Sequence, residues 1–102
     1  MRQITREVVS AFLSLTPFAK SNSAVRVEGE YAFLGLHGNT IAEIDEGGDL
    51  YITNAGWQSN TTKERLNGLP GVSIYQKKGV WYLNAVEWDG SWKYIGKIGE
   101  LK

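Results

Sequence analysis

The stretch from Gly56 to Leu83 constrains the fold more than any other segment, because its local signals agree with one another. A tryptophan-bearing loop leads into a short helix, and a hairpin follows. The two-residue turn at Lys78-Gly79 fixes the pairing of the hairpin strands, and a one-residue slip would move every side chain to the opposite face. The predicted faces are Val72, Ile74, Trp81 and Leu83 on one side and Tyr75 with Tyr82 on the other.

A capping-box spacing predicts where the short helix begins. Residues 61–64 read TTKE, so the Thr61 hydroxyl can accept from the backbone N–H of Glu64, whose carboxylate can reach back. We therefore expect a helix over residues 62–67, with Gly68 as its left-handed C-cap. The expected buried residues are Leu66 and Leu69, and the expected exposed cations are Lys63 and Arg65.

The first half of the chain changes from the period of a helix to that of a sheet. Residues 4–15 place apolar side chains at helical spacing, and Pro17 then ends the helix. From residue 25 the period is two, which predicts strands over residues 25–27 and 31–36, separated by Gly29-Glu30, and over residues 40–45 and 50–54. Two hairpin turns, Gly38-Asn39 and Gly47-Gly48, would make the last three of these an antiparallel meander, and the second turn would place Ile44 opposite Tyr51 and Ala42 opposite Thr53.

The end of the chain predicts a third strand beside the second hairpin. Asp89-Gly90 is a strong turn signal, and it would place Glu87 opposite Trp92 and Ala85 opposite Tyr94. The fold class is therefore α+β in a single domain over residues 1–102: N-terminal helix, three-stranded antiparallel meander, short helix, and a second antiparallel hairpin or meander. Both meanders carry apolar residues on both faces, so each must be covered twice, by the other sheet, a helix or a partner.

Acidic and basic residues are equal in number but separated along the chain. Eleven Lys and Arg balance eleven Asp and Glu, and there is no cysteine for a disulfide or a thiolate zinc site. Residues 27–62 hold six acids and no base. Residues 1–26 carry +3 (four bases less one acid), and so do residues 63–102 (seven less four). The simplest interpretation is a solvated surface on which the acidic segment forms ion pairs with the two basic segments. The charge pattern does not indicate a polyanion-binding tail.

The apolar run from Val8 to Leu15 is not typical of an export signal, because Glu7 precedes it, serines interrupt it and no small-residue cleavage site follows. Nothing approaches the roughly 18 apolar residues of a membrane span. We therefore expect a cytosolic protein that does not bind membranes.

The motif GWQSNTTKERLNGL, in the form GW-x-SNTTK-x-RLN-x-L, resembles that of a family of small tailed-bacteriophage proteins. The resemblance extends to ITREVVSAFLS, LHGNTIAEI, ITNAGW and IYQKKGVWYLN, and so covers most of the chain. It carries no activity over to this chain. It implies a phage or prophage product acting in the host cytoplasm, where small accessory proteins often serve host takeover or anti-defence.

Catalytic and metal sites find little support in the sequence. His37 is the only histidine, so any other ligands of a metal site would have to be Asp or Glu. The sequence pattern positions no nucleophile that His37 could activate as a general base. Residues 45–49, DEGGD, lack the alternating ligands and closing Glu of a calcium loop. We expect no enzyme activity, no metal and no cofactor.

Two kinds of binding site remain. Aromatic side chains on a strand beside basic ones are typical of single-stranded nucleic-acid binders, although tyrosine pairs also stabilise ordinary sheets. The residues of this constellation are Trp57, Lys63, Arg65, Lys77, Lys78, Tyr75 and Tyr82.

The preferred hypothesis is a module that binds a host protein, since four Trp and five Tyr exceed what one small core readily hides. Trp57 lies in a loop of small and polar residues, so we expect it to form a contact patch with Lys63 and Arg65. The alternative is that Trp57 is a plug between the short helix and the first meander. The sequence leaves the partner's identity and the oligomeric state open.

Overall fold

The computed structural model describes residues 1–101, and this part of the chain is α+β, as predicted. Its strands form two antiparallel sheets, ordered β1-β2-β3-β4-β5-β9 and β6-β7-β8. The elements are α1 (Gln3–Leu13), β1 (Phe18–Lys20), β2 (Ser23–Glu28), β3 (Tyr31–Leu36), β4 (Asn39–Ile44), β5 (Asp49–Ile52), α2 (Asn60–Leu66), β6 (Ile74–Lys77), β7 (Val80–Leu83), β8 (Val86–Glu87), β9 (Lys93–Lys97) and a 3-10 turn at Ile98–Glu100.

One hydrophobic core joins α1, the inner face of the larger sheet, α2 and the smaller sheet. The predicted N-terminal helix is confirmed, and it lies against β1, β2 and β3. Phe12, Leu34, Leu50 and Leu66 are fully buried where these elements meet. Burying a side chain of this size stabilises the fold by about 1.5–3 kcal/mol, so each of these four residues contributes to holding the elements together.

The predicted register of the 72–84 hairpin is confirmed. Ile74 pairs with Leu83 and Tyr75 with Tyr82 across the turn at Lys78-Gly79, where both residues have positive φ. Trp81 and the Ile74–Leu83 pair point into the core, whereas the tyrosines lie on the opposite face.

Two details of the first meander differ from expectation by one residue. The β3–β4 turn is His37-Gly38, with φ of 52° and 82°, and not Gly38-Asn39. The β4–β5 register pairs Ile44 with Leu50, because the Asp45 carboxylate accepts from the backbone N–H groups of Gly47 and Asp49 and so forms a longer loop. The predicted Ile44–Tyr51 and Ala42–Thr53 pairs are therefore wrong.

The third strand of the second meander was also predicted in the wrong place. Asn84 and Ala85, with φ of 50° and 70°, form a tight turn that returns β8 along β7. The Asp89-Gly90 turn then carries the chain across to the larger sheet, where β9 pairs with β5. The expected pairs of Glu87 with Trp92 and of Ala85 with Tyr94 do not form. Glu87 lies opposite Tyr82, and Tyr94 lies opposite Tyr51.

The strand β1 was not predicted, because residues 20–23 are polar and the period of two was recognised only from residue 25. Lys20 instead pairs with Ser23 in a hairpin whose Ser21 has a φ of 56°. The larger sheet has six strands, because β1, β2 and β9 join the predicted three-stranded meander, which corresponds to β3, β4 and β5.

Candidate interaction surfaces

The loop before α2 exposes Trp57, whose side chain is 60% accessible to solvent. The loop itself is fixed: Gly56 N–H donates to Asn54 Oδ1 at 2.8 Å, and Trp57 N–H donates to the Asn54 carbonyl at 2.8 Å. Trp57 is thus not a plug between α2 and the first meander. It borders a cavity of about 210 Å³ whose other lining residues are Leu36, His37, Ile41, Ser59, Thr61 and Thr62.

Arg65 is the main correction to the expected patch, because its side chain is only 1% exposed. Its guanidinium donates to Thr5 Oγ1 at 2.8 Å, to Ser23 Oγ at 3.0 Å, and to Glu64 Oε1 at 2.6 Å. These bonds join α2 to α1 and to the start of β2. The expectation that Arg65 is an exposed contact residue is therefore wrong.

The sequence does contain a signal for this burial. Thr62, Arg65, Leu66 and Leu69 have the i, i+3, i+4, i+7 spacing of one helical face, and all four are buried. Sequence reasoning assigned the arginine to the surface by residue type, although a buried charge is tolerated where it is paired and fully hydrogen-bonded.

The ends of α2 also differ from expectation. Ser59, not Thr61, is the N-cap, and its hydroxyl accepts from the Thr62 N–H at 3.1 Å. Glu64 does not reach back to a cap. Gly68 has no positive φ; it is needed because a Cβ there would lie 2.8 Å from the Thr5 methyl on α1.

Glu64 is held ionised by its contacts with α1. Partial burial alone would raise its pKa, but hydrogen bonds from the Thr5 hydroxyl and the Arg2 N–H, together with the Arg65 charge, outweigh burial and lower the pKa. The Glu64 carboxylate therefore favours the folded state as an anion.

The remaining residues of the expected nucleic-acid constellation lie on or beside the β6–β7 hairpin. The Tyr75 and Tyr82 rings stack at 5.2 Å with 12° between their planes, and Tyr75 is 44% exposed. Lys77 and Lys78 are exposed at the turn. Lys63 also contacts this hairpin: its Nζ donates to Gln76 Oε1 at 3.0 Å and lies 5.5 Å from the Trp81 ring centroid.

Sequence reasoning missed a surface that we call the outer sheet face, the side of the larger sheet away from α1. The strand registers align one side chain from each of five neighbouring strands in a single row. The members of this row are Arg26, Phe33, Glu43, Tyr51 and Tyr94. Arg26 and Tyr94 at the two ends of the row are exposed, and the three residues between them are half-buried. The alternation of inward and outward side chains along β3 and β4 could have indicated the outer sheet face if β9 had been assigned to this sheet.

Within the described part of the chain, no helix is both long and apolar enough to cross a membrane. No group of three or more His, Asp or Glu residues in residues 1–101 is arranged to hold a metal ion.

Comparison with known protein families shows to which family the chain belongs. Neither the curated proteins nor the solved structures contain a protein that matches the chain. The family model described as Kyanoviridae Gp96 protein matches residues 1–97, which is nearly the whole chain. The chain therefore belongs to the Kyanoviridae Gp96 protein family, a family of bacteriophage proteins.

Proposed function

We propose that this phage protein acts without catalysis, by binding a protein of the bacterial host in the host cytoplasm, in the manner of a host-takeover or anti-defence inhibitor. The observation that carries the proposal is the exposure of Trp57 in a loop fixed by hydrogen bonds. A large indole exposed to water stabilises the free protein little, whereas tryptophan is among the residues that contribute most at protein interfaces.

The fixed loop favours binding for a second reason. Association is weakened when a mobile segment must become ordered, by about 0.5–1.5 kcal/mol for each immobilised side chain. The Asn54 bonds to Gly56 and Trp57, and the Ser59 cap that follows, order the backbone on both sides of the indole before a partner arrives. The small cavity beside Trp57 could receive a partner's apolar side chain.

The experiment is capture of host proteins by the purified, immobilised chain and its Trp57→Ala variant. A hot-spot tryptophan contributes about 2 kcal/mol or more, so the variant should lose roughly thirtyfold in affinity for the captured protein. Trp92→Ala is the matched control, because Trp92 is also exposed, at 52%. Unchanged melting would show that Trp57→Ala is folded. Equal capture by wild type and Trp57→Ala would contradict the proposal.

The stacked tyrosines favour a second candidate function, single-stranded nucleic-acid binding on the β6–β7 hairpin. Tyr75 offers an exposed ring, and Lys77 and Lys78 lie at the adjoining turn. Base stacking contributes about 1–3 kcal/mol per base, and such binding weakens steeply with salt. Fluorescence anisotropy with labelled oligonucleotides tests this function. Tyr75→Ala should weaken oligonucleotide binding at least fivefold. If the wild-type protein does not bind oligonucleotides even at low salt, this function is excluded.

A further inference from the structure

The outer sheet face has the composition of a contact surface and not of an ordinary solvated one. Tyr94 is 51% exposed, and its ring centroid lies 5.2 Å from that of Tyr51. The Tyr31 and Phe33 rings are stacked, with their centroids 6.3 Å apart. Exposed aromatic rings bordered by charged residues are a composition that often marks an interaction site. Glu43 lies in the middle of the row, between Phe33 and Tyr51.

The charge of this face is negative. Arg26 is paired with Glu28, and Lys97 with Asp49, so each of these bases is already neutralised. Four further acids on β4 and the neighbouring turns form no ion pair within residues 1–101: Glu30, Glu43, Asp45 and Glu46. The pKa of Tyr51 is raised, chiefly by burial of its hydroxyl and then by the negative charges of Asp45, Asp49 and Glu43. The effect of these three carboxylates is consistent with a negative potential at the centre of the face.

We propose that the outer sheet face binds an arginine-rich segment of a partner protein, with guanidinium groups stacked on the aromatic rings and paired with Glu43. This goes beyond the proposed role of Trp57, which lies on a different element, and holds whether or not Trp57 binds a host protein.

The face already contains one example of the contact it would make with a partner. The Arg26 guanidinium lies 4.4 Å from the Phe33 ring centroid while it pairs with Glu28. A planar guanidinium can stack on a ring and donate to a carboxylate at once, which a lysine ammonium does less well. Tyr51 and Tyr94 flank Glu43 on the other side and offer the same combination of ring and carboxylate without an internal cation on them.

A groove gives an extended segment room to continue beyond the row. Its volume is about 440 Å³, and it runs beside Arg26 and Phe33 toward the β3–β4 turn. Ala24 and Gly35 lie opposite each other in its floor, and their small size leaves room above the sheet for a partner's chain. Nucleic acid does not fit this face, because its phosphates would meet the unpaired acids, and a second copy would bring like charges together.

The test is titration of the full chain with an oligoarginine peptide, followed by backbone amide NMR shifts. We expect shifts concentrated on β3, β4, β5 and β9. Glu43→Lys and Tyr94→Ala should each weaken binding about tenfold, and oligolysine should bind several-fold less tightly. The matched controls are Glu87→Lys and Tyr75→Ala on the smaller sheet, both exposed, which should bind like wild type. Trp57→Ala should do the same, which separates this inference from the proposed function.

Four results would overturn the inference. The first is that oligoarginine does not bind, and the second is that Glu87→Lys weakens binding as much as Glu43→Lys does, which would show that binding depends on net charge alone. The third is that a single-stranded oligonucleotide shifts the same amides. The fourth is that the protein sediments as a dimer that Glu43→Lys dissociates, which would make a second copy the occupant of the face. If Glu43→Lys melts early, Glu43→Gln gives the same comparison with a smaller change and should weaken binding about threefold.

Discussion

Replacing Arg65 by alanine should destabilise the protein strongly, although Arg65 resembles a surface residue in the sequence. The change removes the donor to Ser23 Oγ, which is buried, and to Glu64 Oε1, which is partly exposed. Removing one member of a buried ion pair costs about 3–5 kcal/mol, because the partner groups remain desolvated. Glu64 can regain water and keeps its bond from Thr5, so we expect the lower end, about 3 kcal/mol.

Urea unfolding followed by circular dichroism measures this change. With a slope of about 1–3 kcal/mol per molar for a small protein, the midpoint should fall by on the order of 1–3 M. Arg26→Ala is the matched control, because the Arg26–Glu28 pair is exposed and such pairs contribute about 0–1 kcal/mol. In the double variant Arg65→Met, Glu64→Gln, the loss of unfolding free energy should be smaller than the sum of the losses in the Arg65→Met and Glu64→Gln single variants. An Arg65→Ala midpoint equal to that of Arg26→Ala would refute the reasoning.

Three further predictions concern α2 and its contacts. Ser59→Ala should cost about 1 kcal/mol in urea unfolding through loss of the cap, and Thr61→Ala should cost less; the reverse order would place the cap at Thr61. Gly68→Ala should lower the melting temperature, because its Cβ would press on Thr5, and an unchanged or higher melting temperature would show that α1 can move away. Because the folded-state pKa of Glu64 lies below 4.5, its stabilisation is present above that pH and is lost as the pH falls through the folded value; Glu64→Gln should flatten the melting profile between about pH 6 and 3, and parallel profiles would contradict this.

Local rules were sufficient where the decisive contacts are close in sequence. The 72–84 hairpin follows from one Lys-Gly turn and strict alternation, and α1 follows from helical spacing and Pro17. The small and polar residues around Trp57 favoured its exposure, although the sequence left an inward plug as the alternative. Each of these depends on neighbours within about a dozen residues, so no knowledge of the rest of the fold was needed.

Long-range contacts decided the features that sequence reasoning missed. The Asp89-Gly90 turn is real, but a turn does not state which sheet the next strand joins, and β9 pairs with β5, more than forty residues earlier in the chain. The burial of Arg65 depends on acceptors supplied by α1 and β2, and those positions follow only from packing. The outer sheet face was missed for the same reason, because Tyr51 and Tyr94 meet only through that pairing.

The central claim is that the protein works by binding a host protein through Trp57, and site-specific crosslinking in infected cells tests it most directly. A photoreactive phenylalanine derivative would replace Asn60, an exposed residue three positions after Trp57, in one variant and Trp92, the other exposed tryptophan, in a second, so that Trp57 is retained in both. The account predicts one crosslinked host protein from position 60 that is absent from position 92. Crosslinks to nucleic acid alone, or the same proteins from both positions, would contradict it.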